Sequence, residues 1–168
     1  MSLRFIRRLC RHLFVLPSNV RRHFTNDAMR RIEAAIADNE NTHSGEICFV
    51  VESHLHVLDI LRKKSAKKRA IEVFSQMRIW DTEHNNGVLI YLLLADHDFE
   101  ILADRGIHHH VCTEGWEQIC RQMEVMFKQG EFEAGVLFGI QQVGEHLVRH
   151  YSANGKAHNE LPNRPIVL

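Results

Sequence analysis

The sequence predicts an α/β protein with a small mixed sheet. Two almost wholly apolar runs, EICFVVE at 46–52 and GVLIYLLLA at 87–95, have the composition of strands covered on both faces. Segments with apolar residues at helical spacing lie between and around these runs. A short polar interruption follows the second run, and the apolar run FEILA then resumes, as in a hairpin. The 168 residues suit one domain with extensions.

The N-terminal segment is basic and amphipathic, since residues 1–24 contain six arginines and no acid. Apolar side chains recur at helical spacing and arginines occupy another face. The apolar set is Leu3, Ile6, Leu9, Cys10 and Leu13, and the basic set is Arg4, Arg7, Arg8 and Arg11. Such a helix packs on its own domain or lies on an anionic membrane surface, and we favour packing because it is the commoner use. Pro17 is expected to end the helix.

This composition divides the chain into three regions. A basic amphipathic helix and linker occupy 1–24, an α/β domain occupies 25–151, and an extended tail occupies 152–168. Turn residues and prolines in the tail exclude a further helix there. We expect its last three residues, Ile166, Val167 and Leu168, to dock on the domain.

The elements of the first half of the domain follow from periodicity and caps. An amphipathic helix covers 27–40, and the first strand covers 46–52. Residues 54–64 have no clear period. Ser65 can cap a helix that runs to about Ile79, because its hydroxyl accepts from a backbone N–H of the first turn.

The second half begins with the hairpin and continues as helices. The DHD sequence at 96–98 interrupts the two apolar strands and is expected at the hairpin tip. With its histidine at the tip, Asp104 should face Ile90 and Gly106 should face Val88. Two helices should follow, from Thr113 to about Gly130 and from Phe132 to about Tyr151.

The predicted topology collects polar residues at one end of the sheet. A helix crosses over between the two apolar runs, so these strands should be parallel, and the hairpin returns the chain to the same end. The residues gathered there are Glu46, Asp81, Glu83, Asn86, Asp104 and Arg105. Carboxylate oxygens suit Ca²⁺ or Mg²⁺, with Asp104, Glu46 and Asp81 as the metal ligands. In the alternative, which spacing alone favours, Asp104 and Arg105 pair or cap the next helix.

The DHD sequence also suggests the DxD motif of haloacid-dehalogenase-type hydrolases, in which the first aspartate is the nucleophile. That motif opens a loop, whereas here two strands meet in a short turn. Phe99 stands where that motif has Thr or Val. The sequence therefore argues against this chemistry.

Charge and spacing exclude several other classes. The balance of 21 basic and 21 acidic residues gives no global attraction to nucleic acid. The four cysteines form no CxxC pair, and the 13 histidines include no HExxH motif. No apolar run reaches the length of a signal-peptide core or a transmembrane segment. We therefore expect a cytoplasmic protein, peripheral at the inner membrane if the N-terminal helix binds lipid.

Three segments together carry a family resemblance: NNGVLIYLLL, ADRGI and WEQICRQMEVMFKQGEFEAGVLFGIQQVGEHL. They resemble the TPM domain, which occurs in plant thylakoid-lumen proteins and bacterial envelope proteins. The resemblance covers about residues 25–150 and is strongest to short bacterial members without a signal peptide, which share the basic N-terminal segment and a tail like NELPNRPIVL. It implies a three-layer α/β/α sandwich with a small mixed sheet.

The same resemblance implies several functions. Some members are described as acid phosphatases, some bind calcium or another divalent ion near the hairpin base, and others assist assembly or repair of membrane complexes. A LemA-type membrane protein, or another TPM protein, is the partner that it implies. This chain has ADRGI where many members have a TGxG-like segment, and Cys112-Thr113-Glu114 where they have an aspartate.

Two functions therefore remain open at the level of sequence. The first is a non-catalytic interaction or accessory module linked to membrane-protein assembly or maintenance, which we prefer. The alternative is a weak divalent-cation-dependent acid phosphatase that uses the acidic end of the sheet.

Overall fold

The computed structural model describes residues 3–15, 17–153 and 159–168. In that part of the chain the helices and strands follow in the order α1 (Leu3–Phe14), α2 (Pro17–His23), α3 (Asn26–Glu40), β1 (Glu46–Glu52), α4 (Val57–Leu61), α5 (Ala66–Gln76), β2 (Gly87–Leu93), β3 (Asp98–Ala103), α6 (Arg105–Lys128), α7 (Phe132–Tyr151) and β4 (Ile166–Val167).

The four strands form one mixed sheet in the order β3-β2-β1-β4. β1 runs parallel to β2 and to β4, and β3 is antiparallel to β2. The crossover through α4 and α5 explains the parallel pair, because parallel neighbours need a connection that returns the chain to the starting end. The predicted mixed sheet and the predicted parallel pairing are confirmed.

Apolar side chains of the sheet alternate between two buried clusters. Phe49 and Val51 of β1 pack in the first cluster, with residues of α3, α6 and α7. Cys48 and Val50 pack in the second cluster, with residues of α4 and α5. A sheet covered by helices on both faces is a three-layer α/β/α sandwich, as the family resemblance implied. None of the described helices is long and apolar enough to cross a bilayer.

The N-terminal helix packs on the domain, but by a different face from the predicted one. Phe5 and Leu9 of α1 contact the second cluster, whereas Leu3, Ile6 and Leu13 are exposed. The buried side chain of His12 shares the packed face, so the apolar residues of α1 divide between two sides of the helix.

Pro17, which was expected to end the first helix, instead begins the second. α1 stops at Phe14, and Pro17 starts α2, a position at which the fixed φ of proline suits the first helical turn. Val20 and Phe24, in the region predicted as linker, are buried in the first cluster.

Local caps fix several boundaries. The Thr25 side chain accepts from Ala28 N at 3.1 Å, and Ser65 accepts from Lys68 N at 3.2 Å, so the predicted Ser65 cap is confirmed. α5 ends at Gln76, three residues before the expected end, and α4 lies in the segment that showed no period. α6 already starts at Arg105 but is kinked at Cys112, where φ is 62°.

The hairpin register differs from the predicted one by three residues. Val88 pairs with Ala103, and Leu93 pairs with Asp98. The connection spans 94–97, so Asp98 is the first residue of β3. Its turn buries Leu94 and Ala95, and packing of these apolar residues places the centre of the turn before the DHD histidine.

The C-terminal tail docks on the outer side of β1. Val50 pairs with Ile166, and Val51 pairs with Val167. Leu168 N donates to Val51 O at 2.9 Å, and Ser53 N donates to Leu168 O at 3.2 Å. The predicted docking of the tail is therefore confirmed, although Val167 and Leu168 keep large exposed fractions.

Candidate functional site

The hairpin base is the end of the sheet at which β1 and β2 begin and β3 ends. Glu46 pairs with Gly87 across the parallel strands. Asp104 N donates to Gly87 O, and Gly106 N donates to Asn85 O, each at 2.9 Å. The two sequence ends of the hairpin therefore meet as predicted, although the register within the hairpin is different.

Two glycines allow the backbone segments to approach closely here. A Cβ added at Gly87 would lie 2.1 Å from Ile79 O, and one added at Gly106 would lie 2.5 Å from Asn85 O. Backbone atoms cannot yield as a flexible side chain can. The glycines of the NNG and DRG sequences thus serve the packing of the hairpin base.

Glu46 is buried and holds the C-terminal tail. Its carboxylate oxygens accept from Glu160 N at 3.0 Å and from Leu161 N at 3.1 Å. The Glu160 carboxylate in turn accepts from Glu83 N at 3.2 Å. The tail therefore lies over the hairpin base, and the Glu46 carboxylate is used in holding it.

Glu40 is a second carboxyl at this end of the sheet. Its Oε1 accepts from Ile47 N at 2.8 Å. Burial, together with the nearby charge of Glu46, raises the pKa of Glu40 to about 8, against opposing hydrogen bonds from Ile47 and Asn163. Glu40 is thus largely protonated at neutral pH, which relieves the repulsion between the two carboxyls.

Asp104 caps α6, as the alternative interpretation proposed. Its Oδ1 accepts from Arg105 N at 2.7 Å. Its buried Oδ2 has no hydrogen-bond partner among the described residues. Asn86 is similar: its Nδ2 donates to Ser44 O at 3.1 Å, while its buried Oδ1 has no partner in the described part of the chain.

The remaining predicted residues do not join this cluster through their side chains. Asp81 is exposed and pairs with Arg78 at 2.8 Å, and Glu83 and Arg105 are also exposed. Within 3–15, 17–153 and 159–168, no group of three or more His, Cys, Asp or Glu side chains could hold a metal ion. The structure therefore does not bring Asp104, Glu46 and Asp81 together as one such group, because each carboxylate has a different local role.

The opposite end of the sheet contains a buried ion pair. Tyr91 Oη donates to Glu52 Oε2 at 2.6 Å, and Arg69 Nε donates to the same oxygen at 2.8 Å. Burial and the Glu52 carboxylate raise the pKa of Tyr91. Because the Glu52 carboxylate accepts from both donors, this hydrogen-bond network holds α5 against β1 and β2 across the second cluster.

Asp96, at the hairpin tip, anchors α1. Its Oδ2 accepts from Arg8 Nε at 2.8 Å, and its Oδ1 lies 3.1 Å from His12 Nε2, a polar contact outside hydrogen-bond alignment. His12 Nδ1 accepts from Leu55 N at 3.0 Å, so the ring proton is on Nε2, facing the carboxylate. Burial raises the pKa of Asp96, but His12 and Arg8 outweigh it and hold the pKa below its usual value.

The outward side of α1 carries exposed apolar side chains and two of the four arginines predicted to contact a membrane or a partner. Leu3 is 65% exposed, Leu13 is 53% exposed and Phe14 is 79% exposed. Arg7 and Arg11 are exposed beside them, although Arg11 Nη2 also lies 3.6 Å from Asp96 Oδ1, and Arg8 turns inward to Asp96. The Arg4 side chain lies outside the described part of the structure.

Sequence reasoning missed three parts of these sites: Glu40, His12 and the tail residues over Glu46. An acid in the last turn of α3 opposes the helix dipole, and this was the available signal for Glu40. The contacts of His12 and of the tail join residues far apart in sequence, so no local pattern marks them.

The mixed sheet between two helical layers, with the NNG and DRG segments at the hairpin base, agrees with a TPM domain. The TPM domain family matches residues 21–146, and the chain belongs to that family.

Solved structures agree with this assignment. The chain is similar to the BA42 protein of the psychrophilic bacterium Bizionia argentinensis, with a TM-score of 0.76 and 30% identity, over 86% of this chain and 95% of that one. It shares its fold with the N-terminal domain of a protein from P. gingivalis, with a TM-score of 0.61 and 15% identity, over 78% of this chain and 82% of that one. No curated protein matches the chain.

Proposed function

We propose that this TPM-domain protein is a non-catalytic accessory module that docks through α1 on the anionic surface of the inner membrane, beside a membrane protein that it helps to assemble or maintain. The family resemblance suggests a LemA-type membrane protein, or another TPM protein, as the partner. The observation that carries the proposal is the division of α1 into a packed side and an exposed apolar side bordered by arginines.

The exposed side has the composition of an interfacial helix. At 100° per residue, Leu3, Ile6, Leu13 and Phe14 fall on one arc, with Cys10 between them, and all five are exposed. Arg7 and Arg11 follow on the adjacent arc. Apolar side chains that enter the acyl boundary, with cations at the level of anionic headgroups, are the two terms that hold such a helix on a membrane.

The packed side keeps the exposed side in place. Arg8 bonds both Asp96 and Lys64 O, the latter at 2.7 Å, and the buried His12 bonds the backbone of Leu55. Because α1 is held before it meets a surface, docking does not require the helix to order first, which reduces the entropic cost of binding. The domain would therefore approach the membrane in one orientation.

The test is co-sedimentation of the full chain with vesicles of phosphatidylglycerol and phosphatidylcholine, compared with vesicles of phosphatidylcholine alone. Binding is expected only to the anionic vesicles and should weaken with salt. Phe14→Ser should reduce binding by about tenfold, from the apolar surface that no longer enters the bilayer. Arg7→Glu combined with Arg11→Glu should abolish it.

Val125→Ser is the matched control, because Val125 on α6 is also exposed, at 54%, but lies on another element. It should leave vesicle binding unchanged. Point variants are preferable to deletion of α1, since deletion would uncover the surface on which Phe5 and Leu9 pack. Equal binding by the wild type, Phe14→Ser and the double arginine variant would contradict the proposal.

A specific observation supports a second candidate, a weak cation-dependent phosphatase. The buried oxygens Asn86 Oδ1 and Asp104 Oδ2 accept no hydrogen bond from the described residues, and oxygens of this kind suit Ca²⁺ or Mg²⁺. Metal-dependent hydrolysis of p-nitrophenyl phosphate that Asp104→Asn abolishes would support it. Asparagine keeps the cap of α6, so loss of activity would not simply report loss of the helix. Activity that persists in Asp104→Asn would exclude this site.

A further inference from the structure

A groove runs along the outer edge of the sheet, away from α1 and from the hairpin base. Its volume is about 670 Å³, and it is bounded by α2 and α3 on one side and by the tail on the other. Its apolar lining includes Phe24, Met29, Pro165 and Val167. Phe24 is buried there, whereas Val167 is 52% exposed.

The border of the groove is positively charged. Arg21, Arg30 and Arg164 line it together with one acid, Glu33. Arg30 pairs with Asp27, but neither Arg21 nor Arg164 has an acidic partner among the residues that the structure describes. Two guanidinium groups are thus available to a ligand beside an apolar floor.

The groove also meets the free edge of β4, which is the last strand in the sheet order. Leu168 directs both its N–H and its C=O toward β1, through bonds with Val51 and Ser53. Neighbouring residues of a strand turn these groups to opposite sides. The N–H and C=O of Val167 therefore face the groove side, where an extended chain could pair with them.

From these three features we infer that the groove binds an extended acidic peptide of a partner protein, which adds as a strand to the edge of β4. Backbone pairing with Val167 would supply the sheet-like contacts. Alternate apolar side chains of the peptide would enter the floor beside Phe24 and Met29. Its carboxylates would pair with Arg21 and Arg164, and this charge requirement selects against neutral and basic strands.

The shortness of β4 limits what can bind. The strand has two residues, and Pro165, which lacks an N–H, precedes it. Backbone pairing alone is therefore too small to hold a partner, and the arginines must contribute to affinity. This makes the inference testable by charge reversal without disturbing the sheet.

The experiment begins with a phage-displayed library of random linear peptides, selected on the full chain. The selected consensus should alternate acidic with β-branched or aromatic residues, and its synthetic peptide should shift NMR signals of Arg164, Val167 and Met29. Arg21→Glu should weaken its binding by about fivefold, as should Arg164→Glu. Methylation of the peptide nitrogens that face β4 should also weaken binding, because it removes the donors for strand addition.

Arg22→Glu is the matched control, since Arg22 neighbours Arg21 on α2, is exposed and does not line the groove. It should change affinity by less than about twofold. No enriched peptide, a basic or charge-independent consensus, or equal loss in Arg21→Glu and Arg22→Glu would overturn the inference. Binding of anionic vesicles by the groove would also overturn the inference. It would be seen as binding to phosphatidylglycerol vesicles that Arg164→Glu removes and Phe14→Ser leaves unchanged.

Discussion

Glu40 should make the stability of the protein fall as pH rises. Its folded pKa is about 8, raised from 4.5 by burial and by Glu46. Between these two pH values the folded protein keeps a proton that the unfolded chain releases. The unfolding free energy therefore falls by at most ~1.4 kcal/mol for each unit of pH. The stabilisation is complete below pH 4.5 and is lost as pH approaches 8.

The size of the effect follows from the environment of the carboxyl. The whole pKa difference from 4.5 to about 8 corresponds to about 5 kcal/mol. Because Glu40 is partly accessible to solvent, which screens its charge, we expect about 2 kcal/mol. Glu40→Gln keeps an oxygen that can accept from Ile47 N but cannot ionise. The variant should match the wild type near pH 5 and exceed its stability by about 2 kcal/mol at pH 8.

The assay is urea unfolding of both proteins at a series of pH values, in which differences between the variants cancel the titration of other groups. Glu33→Gln, at the middle of α3 and two turns before Glu40, is the matched control and should follow the wild type. The same pH slope in Glu40→Gln as in the wild type would refute the argument that Glu40 holds this proton.

Three further predictions concern packing and the anchor of α1. Gly87→Ala should lower the unfolding free energy by more than about 3 kcal/mol, because its Cβ would meet a backbone oxygen at 2.1 Å. Gly130→Ala, with φ of 83° and open space around it, should lower it by only about 1 kcal/mol. Urea unfolding measures both. Tyr91→Phe should lower the unfolding free energy by about 2 kcal/mol, since it removes a buried hydrogen bond to the Glu52 carboxylate. A decrease of less than about 0.5 kcal/mol, the usual effect of a surface substitution, would contradict this. Asp96→Asn should speed proteolysis within α1 without unfolding the sandwich, and unchanged cleavage would show that Asp96 does not hold the helix.

Most of the architecture could be predicted because local patterns determine it. β1 covers the apolar run at 46–52, and α7 begins at Phe132 and ends at Tyr151, as expected from the spacing of their apolar residues. The Ser65 cap was visible for the same reason. Each of these features depends on residues that are neighbours in sequence.

The hairpin register could not be predicted so well, because polarity marks a turn only approximately. The polarity of DHD predicts that these three residues form the turn, but Asp98 belongs to β3, and the apolar Leu94 and Ala95 lie in the connection. A register is set by packing on both faces of the sheet, and this information is not local. Even so, the convergence of Asp104 with Gly87 was correct, since a shift of three residues still leaves the hairpin closed at the same end.

The candidate site was predicted in part for the same reason. Strand topology correctly brought Glu46, Asn86 and Asp104 to one end of the sheet. The use of each side chain could not be read from that placement, because Glu46 is engaged by tail residues 114 and 115 positions away. Whether a cation binds at Asn86 and Asp104 stays a prediction.

The most direct test of docking through α1 is NMR of the ¹⁵N-labelled full chain on phosphatidylglycerol-containing nanodiscs that carry a nitroxide-labelled lipid. The account predicts broadening of the amide signals of Leu3, Ile6 and Phe14, with those of Val125 on α6 unchanged. Uniform broadening, broadening centred on another element, or none at concentrations at which vesicles bind would contradict it.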